Sequence, residues 1–78
     1  MKLNILTGNS TEEYTISWLE INTSTENIVI QKDHAPCILE LKPNENILFQ
    51  LVTGKQETIL IRDGFVHIFR NHITIIVP

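Results

Sequence analysis

Apolar and polar residues alternate along most of this chain, in short runs that turn-forming residues separate. In the middle of the chain, for example, Cys37, Leu39 and Leu41 take every second position. Alternation with a period of two places apolar side chains on one face of a β-strand. Turn segments such as Lys42-Pro43-Asn44-Glu45 separate successive runs. The pattern therefore predicts one all-β domain over residues 1–78, an antiparallel β-sandwich of about eight to ten short strands.

The second predicted strand contains a change of phase. Tyr14, Ile16 and Trp18 alternate at even positions, and Leu19 and Ile21 then continue at odd positions. An extra residue in a strand changes the face to which the following side chains point. We therefore predict a β-bulge near Trp18.

Several predicted strands carry apolar residues on both faces. Leu48 is followed by Phe49, and Ile75 is followed by Ile76. Because successive side chains of a strand point to opposite faces, only one member of each pair can lie in the core. Exposed apolar surface of this kind is typical of protein–protein contacts. We expect a partner to cover one outer face, and the chain to self-associate without it.

Charge and composition narrow the classes of function. The formal net charge is -3, and the six lysine and arginine residues are scattered along the chain. Proteins that bind nucleic acid concentrate these residues on one face, so we expect no nucleic-acid partner. The apolar runs are far shorter than the roughly 18 residues that span a bilayer, so we expect no direct membrane insertion.

The single cysteine lies close to an Asp-His pair, Asp33-His34. A nucleophilic thiol needs a base within hydrogen-bond reach. Pro36 separates His34 from Cys37, so their side chains need not meet, and Cys37 begins an apolar alternation. We interpret Cys37 as a buried structural thiol and predict no catalytic residue.

His67 and His72 lie on the two arms of the last predicted hairpin, whose turn is Arg70-Asn71. In this register the two imidazoles fall diagonally on the same face, which is a possible arrangement for two metal ligands. The sequence offers no evident third ligand, and its glycines stand alone rather than in a phosphate-binding loop. We interpret both histidines as surface residues and expect neither a metal nor a cofactor.

Four segments occur in the order and spacing of a known family, and the opening Met1-Lys2-Leu3-Asn4-Ile5-Leu6-Thr7 matches the way many of its members begin. The four are Asp33-His34-Ala35-Pro36, Leu39-Glu40-Leu41-Lys42-Pro43, Gly64-Phe65-Val66 and Asn71-His72-Ile73-Thr74-Ile75. With them the chain resembles, along essentially its whole length, the N-terminal β-sandwich of the epsilon subunit of F-type ATP synthase. The family-marker positions are His34, Ala35, Pro36, Gly64, Phe65, Val66 and Thr74.

The chain departs from this family in three regions. The family usually has a glycine-rich turn before its H-A-P segment, whereas residues 23–28 contain no glycine. The double glycine near the end of the sandwich is reduced to Asp63-Gly64. Many epsilon subunits continue into two C-terminal helices, and this sequence ends at Pro78. We therefore expect the short form, without the helical hairpin.

The resemblance implies a non-catalytic subunit of the central rotor that couples ion translocation to ATP synthesis. Its partners would be the gamma subunit and the subunits of the membrane rotor ring. It would lie peripherally on the cytoplasmic side of the bacterial inner membrane, or in the equivalent organelle compartment. Loops at one end would meet the ring, and their candidate residues are Thr23, Ser24, Thr25, Glu26, Asn27, Asp33, His34, Lys42 and Asn44. The alternative is a free-standing β-sandwich module that binds another protein, because fold alone does not determine function.

Overall fold

Eight strands make up the secondary structure of the part of the chain that the computed structural model describes, residues 1–43 and 45–78. The strands are β1 (Lys2–Leu6), β2 (Thr11–Asn22), β3 (Asn27–Ile30), β4 (Cys37–Leu41), β5 (Glu45–Leu51), β6 (Gln56–Ile61), β7 (Gly64–Phe69) and β8 (His72–Ile76). Within these residues there is no helix long and apolar enough to cross a membrane.

The strands follow the order β4-β7-β8-β1-β2-β5-β6, and β3 also pairs with β2. Because β2 is shared, the curled sheet has two halves. We call β4-β7-β8-β1-β2 sheet A and β3-β2-β5-β6 sheet B. The predicted all-β sandwich is confirmed.

One strand pair differs from the predicted antiparallel arrangement. β1 runs parallel to β8, with Lys2 opposite His72 and Leu6 opposite Ile76. The other pairs between described strands are antiparallel. Tight turns produce antiparallel neighbours, whereas a parallel pair joins strands that are distant in sequence. The turns of the sequence therefore do not reveal this pair.

A bulge in β2 lies where this strand passes from sheet A to sheet B. Ile16 and Trp18 pair with consecutive residues of β5, which leaves Ser17 without an opposite residue. The inward side chains consequently change from Ile16 to Leu19 and Ile21, each no more than 1% exposed. The predicted bulge is confirmed, but it begins one residue earlier than expected. Trp18 accordingly lies half-buried on the outer side rather than in phase with Ile16.

The core is built from the inward side chains of both sheets. Its buried members are Leu3, Ile5, Ile16, Leu19, Ile21, Ile30, Leu41, Ile47, Phe49, Ile61, Val66, Ile68, Ile73 and Ile75. Full burial of such a side chain contributes about 1.5–3 kcal/mol. The prediction of two apolar faces is confirmed, because Phe49 and Ile75 are buried while Leu48 is half-buried and Ile76 is exposed.

The β7–β8 turn holds three segments of the chain together. Arg70 and Asn71 both have positive φ, 48° and 62°, as a tight type I′ hairpin requires. The Asn71 carbonyl accepts a hydrogen bond from the Lys2 N–H at 3.0 Å. The Asn71 side-chain oxygen accepts another from the Asp33 N–H at 2.8 Å. The predicted hairpin is confirmed, and Asn71 also fixes the start of β1 and the β3–β4 connection.

Gly64 lies at a close approach between the β7 and β8 backbones. Its φ is +155°, and a Cβ atom added there would overlap the carbonyl oxygen of Ile76. The obstacle is backbone, which cannot rotate away as a flexible side chain can. A glycine is therefore required at this position.

We expect Gly64→Ala to lower the free energy of unfolding by about 2 kcal/mol or more, because backbone must move and the φ value is strained. Gly8→Ala is the matched control, since a Cβ atom at Gly8 meets nothing within 4 Å. We expect this control to change stability by less than about 0.5 kcal/mol. Denaturant unfolding measures both, and coinciding midpoints would contradict the close approach.

At Asn71 two substitutions separate the hydrogen bond from the backbone conformation. Asn71→Gly removes the acceptor for the Asp33 N–H, which should cost about 1 kcal/mol, and leaves a residue that adopts positive φ freely. Asn71→Ala removes the same acceptor and keeps a Cβ in the left-handed region without the polar side chain by which asparagine tolerates it, which should add about 1 kcal/mol. Unfolding free energies should therefore fall in the order wild type, Asn71→Gly, Asn71→Ala. Equal stability of all three proteins would show that the side chain contributes nothing to the turn.

Candidate functional site

The loops of the sandwich lie at two opposite ends. β3 spans Asn27–Ile30, about 13 Å at 3.3 Å per residue. The turn before β3 and the connection after it are therefore at opposite ends, and β4 returns the chain to the first end. There the β2–β3 turn and the β4–β5 connection line one cleft. We call this the cleft end, and the opposite end, which holds the β7–β8 turn, the Asn71 end.

The structure divides the candidate ring-contact residues between these two ends. Thr23, Ser24, Thr25, Glu26, Asn27 and Lys42 are at the cleft end. Asp33 and His34 are at the Asn71 end, where the Asp33 N–H is bound by Asn71. The expectation that all these loops share one end is therefore wrong for Asp33 and His34. Asn44 lies outside the described residues.

The β2–β3 turn is held by the hydroxyl group of Thr23. This oxygen accepts hydrogen bonds from the Glu26 N–H at 2.9 Å and the Thr25 N–H at 3.3 Å. It also donates to the Glu26 carbonyl at 3.0 Å. Hydroxyl side chains commonly stabilise turns in this way.

The amide of Asn27 joins neighbouring strands at the cleft end. It donates hydrogen bonds to the side-chain oxygens of Glu20 and Asn22. Asn22 in turn donates to the side-chain oxygen of Asn46 at 3.0 Å. These bonds occupy the Asn27 amide, so its main effect is to hold the edge of sheet B in register.

Glu45 is a buried carboxylate at the start of β5, and it is only 7% exposed. Its Oε1 accepts a hydrogen bond from the Lys42 N–H at 2.8 Å, which closes the β4–β5 connection. Its Oε2 is buried and has no hydrogen-bond partner among the described residues. Glu45 was predicted to lie in a turn, and its burial was not predicted. The available signal was its phase, because Glu45 alternates with the inward residues Ile47 and Phe49.

The cleft has a volume of about 280 Å³. Its lining residues are Ile21, Thr23, Ser24, Thr25, Glu26, Ile28, Leu39, Glu40, Leu41, Lys42 and Glu45. Three glutamates and one lysine give it negative formal charge, and four aliphatic side chains form its apolar part. We call it the acidic cleft.

The outer face of sheet A is an exposed apolar surface. Its apolar side chains are Ile38, Phe65, Phe69 and Ile76, with exposed fractions of 68%, 49%, 48% and 44%. The strand register places them around His67, because Ile38 lies opposite His67 and Phe65 lies opposite Ile76. The exposure of Ile38 was not predicted, although its outward phase between Cys37 and Leu39 indicates it.

A larger opening of about 500 Å³ lies between β6 and the last residues of the chain. Its lining residues are Ile5, Thr7, Glu12, Ile59, Leu60, Ile61, Arg62, Asp63, Val77 and Pro78. Beside it, the Tyr14 hydroxyl donates a hydrogen bond to the Glu12 carboxylate at 2.8 Å. This bond favours the protonated phenol and raises the pKa of Tyr14 above its usual 10.0, and desolvation acts in the same direction. The opening is mainly apolar and exposes the edge strand β6.

Cys37 and His34 make separate local contacts. Cys37 is half-buried and packs against the hydrophobic core. The Nδ1 atom of His34 lies 2.8 Å from the carbonyl oxygen of Ala35, the next residue. Cys37 was predicted to be buried, whereas the structure places it half-buried at the margin of the core.

His67 and His72 lie on the outer face of sheet A, as the predicted register requires. His67 is opposite Thr74 and His72 is opposite Phe69, so the two histidines are diagonal neighbours. The His67 ring stacks on Phe69 with 6.3 Å between centroids. Among the described residues, no group of three or more His, Cys, Asp or Glu side chains could hold a metal ion. The histidines therefore form part of the outer face around its aromatic side chains.

The family-marker positions have different structural roles. Gly64 permits the approach of two backbones, and Val66 is fully buried. Phe65 is exposed on the outer face of sheet A, and Thr74 is half-buried. His34, Ala35 and Pro36 belong to the β3–β4 connection at the Asn71 end. The family-marker positions therefore do not form a single surface, and several of them determine how the sandwich packs.

Comparison with known structures shows where this fold occurs. One similar chain comes from the structure of the Euglena gracilis mitochondrial ATP synthase with OSCP, F1 and c-ring. It superimposes with a TM-score of 0.79 at 18% sequence identity, and the match covers 96% of the present chain and 48% of the Euglena chain. Another comes from the structure of the Tetrahymena thermophila mitochondrial ATP synthase central stalk and c-ring. Its TM-score is 0.79 at 19% sequence identity, and the match covers 99% of the present chain and 62% of the Tetrahymena chain. The present chain therefore spans about half to three-fifths of the length of these two proteins. At these identities the likeness concerns the fold.

Sequence comparison identifies the family. No curated protein sequence matches the chain significantly. The family model described as the β-sandwich domain of the ATP synthase delta/epsilon chain matches residues 1–78. With a fold that agrees and a match over the whole sequence, the chain belongs to the ATP synthase delta/epsilon β-sandwich domain family.

Proposed function

We propose that the chain is a non-catalytic subunit of the central rotor of F-type ATP synthase. It would join the gamma subunit to the membrane rotor ring and so couple ion translocation to ATP synthesis. The observation that carries this proposal is the family match over residues 1–78. The corresponding location is peripheral, on the cytoplasmic side of a bacterial inner membrane or in the equivalent organelle compartment.

We assign the contact with gamma to the outer face of sheet A. This face exposes Ile38, Phe65, Phe69 and Ile76 together, and large exposed aromatic side chains are typical of the centre of protein interfaces. Arg70 adds a positive charge at its margin, with its guanidinium 5.2 Å from the centre of the Phe69 ring. A partner that covers these side chains would remove apolar surface from water.

We assign the contact with the rotor ring to the cleft end. The β2–β3 turn is exposed there at Ser24, Thr25 and Glu26, and Lys42 is exposed beside it. We leave Asp33 and His34 out of this proposed contact, because they lie at the opposite end, where the Asp33 N–H donates to Asn71. A short, hydrogen-bonded turn can transmit force because it deforms little when it is loaded.

Co-expression with the gamma subunit of the same organism tests the proposal. We expect a one-to-one complex on size-exclusion chromatography at low and moderate salt. Separate elution of the two proteins under both conditions would contradict it and favour a free-standing binding module.

Two substitutions on edge strands test the assignment of the face. Ile38→Asp on β4 and Leu60→Asp on β6 each replace a highly exposed aliphatic side chain, 68% and 76% exposed. Ile38 lies on the outer face of sheet A and Leu60 on that of sheet B. We expect Ile38→Asp to weaken the complex about tenfold or more, because it buries a charge, and Leu60→Asp to leave it intact. Loss of binding in Leu60→Asp alone would place gamma on sheet B.

A further inference from the structure

We propose that the acidic cleft receives an arginine side chain from a partner protein, and that the buried carboxylate of Glu45 is its principal acceptor. An arginine from any partner would satisfy Glu45, so this contact does not require that the partner be the rotor ring.

The first support is the incomplete hydrogen bonding of Glu45. The side chain is 7% exposed and lines the cleft. Its Oε1 is bound by the Lys42 N–H, whereas Oε2 has no partner among the described residues. A buried carboxyl oxygen without a donor is costly, because it has lost its hydrogen bonds to water and has formed no others. An entering cation that donates N–H groups would remove that cost.

The second support is that neighbouring groups are engaged elsewhere. In the described part of the chain the ion pairs are Lys2–Glu13 and Lys55–Glu57, and neither includes a residue that lines the cleft. The Thr23 hydroxyl is occupied within its own turn. Lys42 contributes its backbone N–H to Glu45 while the residue as a whole is exposed. No cation among the described residues therefore pairs with Glu45.

The third support is the match between the cleft and an arginine side chain. Glu26 and Glu40 also line the cleft and add negative charge. Ile21, Ile28 and Leu39 form an apolar wall, against which the methylene stem of an arginine can pack while its head meets the carboxylate. A planar guanidinium donates several N–H groups in a fixed fork, which suits a carboxylate better than the single ammonium of lysine. A metal ion fits less well, because no group of three or more acidic, cysteine or histidine side chains in the described residues could hold one.

The test is an NMR titration of the isolated chain with the peptide acetyl-Gly-Arg-Gly-amide. The matched control peptide replaces arginine with citrulline, which has nearly the same shape and no charge. We expect saturable shifts of the amide signals of Lys42, Glu45 and the β2–β3 turn, with a dissociation constant on the order of millimolar. We expect no saturable shifts with the citrulline peptide.

Two variants locate the site. Glu45→Gln keeps an oxygen that can accept the Lys42 N–H but removes the charge, and we expect it to weaken peptide binding about tenfold or more. Glu13→Gln removes a carboxylate outside the cleft, and we expect unchanged binding. Thermal unfolding of each variant confirms that it is folded. If Glu45→Gln does not fold, Glu26→Gln takes its place. It removes a negative charge at the rim of the cleft, and we again measure whether peptide binding weakens.

Three outcomes would overturn this assignment. They are equal binding of the arginine and citrulline peptides, full binding by Glu45→Gln, and saturable shifts at the same amides with calcium or magnesium but not with the arginine peptide. Because the titration uses the chain without gamma, these outcomes are independent of whether the rotor complex forms.

Discussion

The molecule depends on β2, because this strand belongs to both sheets. Its first half pairs with β1, and its second half pairs with β3 and β5. The extra residue Ser17 allows the inward side chains to follow the core from Ile16 to Leu19 and Ile21. Without it the second half would present its apolar side chains to the outer face, because side chains alternate with a period of two. The bulge therefore allows one strand to serve both sheets.

This arrangement separates internally satisfied surfaces from surfaces that are available to partners. At the Asn71 end, one turn binds the start of β1 and the β3–β4 connection through hydrogen bonds. At the cleft end, a buried carboxylate oxygen lacks a donor among the described residues, and the outer face of sheet A exposes two phenylalanines and two isoleucines. The proposed role in the rotor requires shape and contact area, and surfaces of this kind suit it.

The sequence predicts those features that depend on neighbouring residues. The alternation of apolar residues indicated the strands, the phase change before Leu19 indicated the bulge, and Arg70-Asn71 indicated the last hairpin. These signals are local because side-chain alternation and turn conformation involve only a few consecutive residues.

Features that depend on contacts between residues distant in the sequence could not be predicted from local patterns. The parallel β1–β8 pair joins the two ends of the sequence. The location of Asp33 and His34 depends on the direction of β3 and on a hydrogen bond to Asn71. Glu45 was interpreted as a turn residue because it belongs to the turn segment Lys42-Pro43-Asn44-Glu45. Its phase with Ile47 carried the opposite signal, but only the packed sandwich shows that no donor reaches Oε2 among the described residues.

The central claim is that this sandwich works within the rotor of an ATP synthase. Its most direct test is purification of the tagged chain from the cells that naturally produce it, followed by subunit identification and electron cryo-microscopy of the purified assembly. The account predicts stoichiometric gamma, catalytic-head and ring subunits, with the sandwich between gamma and the ring and its cleft end toward the ring. Recovery of the chain without synthase subunits, or in a position away from the central stalk, would contradict it.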